Sequence, residues 1–302
     1  MSETTAQNET RALKASMVGA FLLAVWGLVM AVASGSGAIM LDGMFNLVSA
    51  IMTFFSLKIS RLVSQPESRS YPVGFFAYES LFVLIKGASI LVLIVSAVAA
   101  NVYVMLQGGR EPVLGLMTLY VALAVLGCII LYGITHRAAK ATGLDMLRAE
   151  AQAWLVNAVV SGAIGLAFLG GMLLDNTPLV WLQRYIDQIL VVLLGLLFVR
   201  DPLVLISDGF KELTLAAPTE DHVAPYATAF QKTAEKLGFQ DLTFDVIKTG
   251  RRRWVTVRII PREKTVAMDQ LRAWKQALKQ TAWSVYDNTE CDVILTPQRS
   301  PA

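Results

Sequence analysis

Six long apolar stretches fill the first two thirds of the chain, near residues 15–34, 37–60, 78–101, 113–135, 147–174 and 179–206. A helix needs roughly 20 such residues to cross the hydrocarbon core of a bilayer, so the pattern predicts six transmembrane helices. The turns between spans are short. Ser34-Gly35-Ser36-Gly37, the run Gln107 to Pro112, and Asp175-Asn176-Thr177-Pro178 separate successive pairs with turn-forming residues. After about Pro218 the pattern changes to that of a water-soluble domain. Residues 220–237 are amphipathic, Leu242, Phe244 and Val246 alternate with polar neighbours, and Trp254 to Ile260 form a β-branched run. Met268 to Trp283 return to helical spacing and Cys291 to Thr296 close the series. The order helix, strand, strand, helix, strand predicts a compact C-terminal α+β domain (αββαβ) of the ferredoxin-like or metallochaperone-like kind. The expected organisation is an N-terminal segment 1–14, a six-helix membrane domain 15–206, a linker 207–218 and the αββαβ domain 219–302.

Charge orients this arrangement. Arg11 and Lys14 precede the first span, Lys58, Arg61 and Arg69 surround the second loop, and Arg137, Lys140 and Arg148 surround the fourth. The alternate loops hold only Arg110 and Arg184. The positive-inside rule therefore places both termini in the cytoplasm of a multi-pass protein of a bacterial-type inner membrane.

Composition agrees: 55% of the 302 residues are hydrophobic and 16% charged, too apolar for an ordinary soluble protein. The net charge of +3 does not signal nucleic acid, because the basic residues lie beside the spans and in the tail. Lipid is the expected surrounding. The first apolar run is too long for a signal-peptide core and lacks a small-residue cleavage site, so it reads as a retained span. Cys128 lies in a span and Cys291 in the polar third, which argues against a disulfide or a thiolate zinc cluster. Neither a nucleophile with its base, a glycine-rich phosphate loop nor an HExxH pattern is present, which argues against an enzyme with a resident cofactor.

An ionisable group inside a span is costly unless it faces protein or water, so such groups are functional candidates. Asp42 and Asn46 sit four apart in the second span, on one helix face. Glu150 and Asn157 share a face of the fifth span, with Gln152 offset from it. Oxygen donors converging from two helices suit a divalent cation harder than one held by Cys or His. The plainer reading of Asn46 and Asn157 is hydrogen bonding between helices. Glu79 and Lys86, seven apart in the third span, are expected to form an ion pair or share a water-filled cavity. Lys86 has two further readings, neutralising Asp42 or standing in for a bound metal. His136 and His222 read as interfacial or surface histidines, and Arg251-Arg252-Arg253 as a solvated hairpin turn or a contact with anionic headgroups.

With these residues placed, the chain resembles the cation diffusion facilitator, or cation efflux, family over nearly its whole length. Ile39 to Asn46 is similar to the family's Asp-x3-Asp element. Tyr71-Pro72-Val73-Gly74 through Glu79 resembles its Tyr-Pro-x-Gly-x4-Glu element, and Leu147 through Asn157 its His/Asp-x3-Asp element. The resemblance implies a homodimer, joined through its C-terminal domain, that exchanges a divalent metal for protons at a tetrahedral site between the second and fifth spans. The four ligand positions carry over to Asp42, Asn46, Ala153 and Asn157, so one carboxylate remains and one position has no donor. Glu150, one turn before Ala153, is the candidate replacement and Gln152 a poorer one. The loop positions often filled by histidine are Tyr71 and Phe75, and the strands of the tail have no histidine, which speaks against metal sensing there. The expected activity is export of a divalent cation with Asp42, Asn46, Asn157 and Glu150 as ligands. The alternative is a non-transporting paralogue acting as a structural or regulatory subunit of a membrane complex.

Overall fold

The computed structural model describes residues 3–142, 145–175, 177–237, 239, 241–261, 266–286 and 288–296. The chain divides into two compact units. One, the helical unit, comprises residues 1–57 and 86–203; the other, the mixed unit, comprises residues 58–85 and 204–302.

Among the described residues six helices are long and apolar enough to cross a membrane. They are α1 (Glu3–Ser34), α2 (Gly37–Val63), α3 (Ala77–Leu106), α4 (Leu114–Thr142), α5 (Asp145–Met172) and the sixth segment. That segment opens with a 3-10 turn at Val180–Leu182 and continues as α6 (Gln183–Phe198) and α7 (Arg200–Leu213). Residues 207–213, expected in a linker, are thus the end of a helix. Pro202 falls in the first turn of α7, where a missing N–H costs little, and nothing stops the helix before Thr214.

In the helical unit α4 packs most extensively against α5 and α1. Tyr120 and Met117 of α4, Phe168 of α5 and Ile39 of α2 are among the large side chains closed off in its core. Val32, Leu106, Leu166 and Leu173 point outward, as side chains bathed in hydrocarbon should. Gly27 and Gly43 bring α1 and α2 into backbone contact, for a Cβ on Gly27 would stand 2.8 Å from the Gly43 Cα. Such close approach is how helices gain dispersion contacts where lipid removes the hydrophobic drive.

The first turn of α2 is tied down by α6. Asp187 Oδ2 accepts from the Gly37 N–H at 2.6 Å, and Oδ1 from the Ala38 N–H at 3.1 Å and from the Ser36 hydroxyl. Ser36 Oγ in turn accepts from the Ile39 N–H at 3.1 Å. The orphan amides of the helix start are thereby satisfied, and the carboxylate meets the positive end of the helix dipole.

In the mixed unit, α8 (Glu220–Leu237), β1 (Asp241–Thr249), β2 (Arg252–Ile260), α9 (Met268–Val285) and β3 (Thr289–Leu295) give the expected αββαβ order. The sheet runs β1-β2-β3, with β1 antiparallel to β2 and β3 parallel to β2 through the α9 crossover. Val255, Val257 and Ile259 of β2 alternate into a core with Tyr226 and Phe230 of α8 and Leu278 of α9. Cys291 lies in this core, and burial pushes its thiol up to about 11, as expected of an inert packing residue.

The expected ion pair of Glu79 with Lys86 does not form among the described residues. Glu79, in the first turn of α3, accepts from the backbone N–H and the guanidinium of Arg251 rather than pairing with Lys86. Arg251 is, as expected, an exposed residue of the β1–β2 turn, though ion-paired. Arg252 pairs with Glu290 at 2.7 Å and with Glu67 at 3.5 Å, and its guanidinium covers the Phe76 ring. Arg253 lies 3.5 Å over the Tyr286 ring. Gly250 (φ +56) makes the tight approach possible, since a Cβ there would meet Glu79 Oε2 at 2.5 Å. Its N–H donates to Ser80 Oγ at 2.9 Å and Glu212 Oε2 at 3.0 Å, while Glu212 Oε1 takes Lys248 Nζ at 2.6 Å.

Candidate cation site in the membrane helices

The second span places Asp42 and Asn46 one helical turn apart, and the structure brings Asn46 to the fifth. Asn157 Nδ2 lies 3.5 Å from Asn46 Oδ1, at the limit of a hydrogen bond. Asn46 is 6% exposed, and its own amide nitrogen donates to the Asp42 carbonyl oxygen at 3.0 Å. Both amides are therefore oriented by each other and by the backbone of α2. A half-turn of the Asn157 amide presents its oxygen where its nitrogen now stands, so the pair can serve a cation with two neutral oxygens.

Asp42 is half-buried, and its carboxylate faces α4. The Tyr120 hydroxyl donates to Oδ2. Among the described residues no lysine, arginine or histidine pairs with it, Lys86 included. Glu150 goes elsewhere. It accepts from the Ser16 hydroxyl of α1, and Ser16 Oγ itself accepts from Trp154 Nε1 at 2.8 Å. Ala153 and Gln152 are exposed on α5. Among the described residues no three His, Cys, Asp or Glu side chains gather as a metal centre; of the candidate donors the structure brings the Asn46 and Asn157 amides together, while the Asp42 carboxylate, one turn along α2, turns toward α4. His136 stacks on Tyr132, with ring centroids 5.1 Å apart. Tyr71, Phe75 and Tyr78 form an aromatic cluster in the mixed unit, with the two phenol oxygens 3.0 Å apart.

Two residues escaped the sequence reading. Asp187 lay in plain view as an acid within the sixth apolar stretch, and the rule that singled out Asp42 applies to it equally. Tyr120 carried no such signal, because a tyrosine in an apolar run reads as packing.

Six apolar helices followed by a small αββαβ domain define a multi-pass membrane protein. The cation efflux transmembrane domain matches residues 13–214, two thirds of the chain and all six spans. The chain belongs to that family, the cation diffusion facilitators, whose members are metal-cation efflux transporters. No curated protein matches the chain closely enough to add a relative.

Proposed function

We propose that this protein exports a divalent metal cation from the cytoplasm in exchange for protons, using Asp42, Asn46 and Asn157 as ligands. The carrying observation is an acid within α2 that, among the described residues, no cationic side chain neutralises, one turn from an amide that meets α5. A carboxylate so placed is stable when it holds a proton or a metal ion, and alternating between the two is the elementary step of antiport. Glu150 joins the site only by leaving Ser16. Both termini are cytoplasmic on this reading, the membrane is the bacterial inner membrane, and two copies associate through the αββαβ domain.

Reconstituted into liposomes, the wild type carries at least one of Zn(II), Mn(II), Fe(II), Co(II) and Cd(II) down an imposed gradient, with a compensating change in lumenal pH, and Asp42→Ala abolishes the flux. Absence of wild-type flux for all five ions sinks the reading. The donorless Ala153, exposed on α5, favours the second reading of a non-transporting partner subunit. A stable complex with an intact transporter and no metal by elemental analysis would establish it instead.

A further inference from the structure

Asp42 has two carboxylate oxygens, and α4 claims one of them. Tyr120 is 2% exposed, and its hydroxyl donates to Oδ2. The hydroxyl sits in a slot left by the glycine contact of α1 and α2, since a Cβ on Gly27 would stand 3.2 Å from Tyr120 Oη. Three helices therefore fix this one hydrogen bond: α4 supplies the donor, α2 the acceptor and α1 the space. Among the described residues Oδ1 of Asp42 has no partner.

We propose that Tyr120 is a specificity-determining residue: by engaging Oδ2 it leaves Asp42 a single unengaged oxygen for a cation, disfavours bidentate binding, and so favours small divalent ions over large ones. Small ions such as Zn(II) take few ligands at about 2.0–2.2 Å, and one carboxylate oxygen with two amide oxygens suits them. Large ions take more oxygens at longer distances, often from a bidentate carboxylate. Bidentate binding here would make Oδ2 share its charge between the cation and the buried phenol and so weaken that hydrogen bond, and a poorly partnered buried donor is penalised. Tyr120 acts through Asp42 and does not itself touch the cation. The inference rests on the reading of Asp42 as a cation ligand.

The test is initial-rate flux of Zn(II) and Cd(II), the second the larger ion of the same charge and closed-shell configuration, in liposomes holding the full-length chain. The wild type shows a lower apparent KM for Zn(II) than for Cd(II). Tyr120→Phe keeps the ring and frees Oδ2, and moves the Cd(II)/Zn(II) KM ratio toward the larger ion by roughly tenfold. A merely structural role lowers the maximal rate for both ions and leaves the ratio alone. An unchanged ratio in Tyr120→Phe overturns the proposal. So does a wild type with equal KM for the two ions, a measurement that does not depend on the variant folding. No wild-type flux of either ion, together with metal content unaffected by Asp42→Ala, instead removes the transport reading on which the proposal stands.

Discussion

The helical unit and the mixed unit treat their buried and half-buried acids in opposite ways. In the mixed unit Glu79 meets Arg251, Glu212 meets Lys248, and Glu290 meets Arg252. In the helical unit Asp187 meets backbone amides and a serine, Glu150 a serine, and Asp42 a phenol. A charge paired with an opposite charge is finished chemically, and its removal leaves the partner exposed to the cost of burial. A charge supported only by neutral donors has room for a cation. Of Asp42, Glu150 and Asp187, Asp187 has both oxygens engaged, so its role is architectural. Among the described residues Asp42 keeps one carboxylate oxygen free, one helical turn from the Asn46 amide, and that is the difference between a bolt and a socket.

The comparison predicts opposite responses to the same chemical change. Asp42→Asn removes a charge without orphaning a cation, so the purified protein should melt no lower than the wild type while losing flux. Glu212→Gln should do the reverse. The Glu212 side chain is 16% exposed, and it accepts from Lys248, Ser80 and the Gly250 N–H. The neutral amide weakens bonds that the charge strengthens, at a cost of about 2 kcal/mol to the mixed unit. Thermal melting of both variants in detergent checks the pair. A destabilised Asp42→Asn beside a silent Glu212→Gln would break the distinction drawn between the units.

The fold was legible because its signals are local. Span length, the alternation in β1 and β2, and the positions of the short loops are properties of neighbouring residues, and the structure reproduces them. The same locality found Asp42 and Asn46 one turn apart, and the family motif pointed to Asn157. It failed wherever a partner is distant in sequence. Helical spacing correctly set Glu79 and Lys86 on one face of α3, but could not reveal that Arg251, 172 positions away, reaches Glu79 first. Nor could it reveal that Ser16, from another helix, takes Glu150. Tyr120 meets Asp42 across 78 positions, and only the packing of α1, α2 and α4 makes that pair. The sixth span runs on past its expected end for a different reason. Composition turns polar before residue 213, but an amphipathic helix tolerates that change.

A smaller effect sharpens the helical side of the comparison. If Asp187 is architectural, Asp187→Asn should cost stability without selecting among ions. The amide keeps one acceptor for the first turn of α2 but loses the second acceptor and the charge that meets the helix dipole. The expected loss is about 1 kcal/mol, read as a lowered melting temperature with the Zn(II)/Cd(II) KM ratio unchanged. A variant that melts normally but alters the ratio would make Asp187 part of the ion path and erase its contrast with Asp42.

The smallest effect concerns strain rather than charge. At the end of α7 Leu215 adopts φ +57 while the Ala216 N–H closes back on the Lys211 carbonyl at 2.9 Å. This is the helix stop that usually takes glycine, and a leucine there carries about 1–2 kcal/mol of steric penalty. The described residues with positive φ are otherwise all glycines. Leu215 is 57% exposed, so its side chain has little packing to lose. Leu215→Gly should relieve the penalty, offset in part by the greater freedom of glycine in the unfolded chain, for a net gain of about 0.5 kcal/mol. Slower hydrogen exchange at the amides of residues 210–216, with no change in the helical unit, is the expected result. Faster exchange would mean that the leucine side chain holds the turn through contacts worth more than the strain, and that the mixed unit secures its helix end by packing as well as by charge.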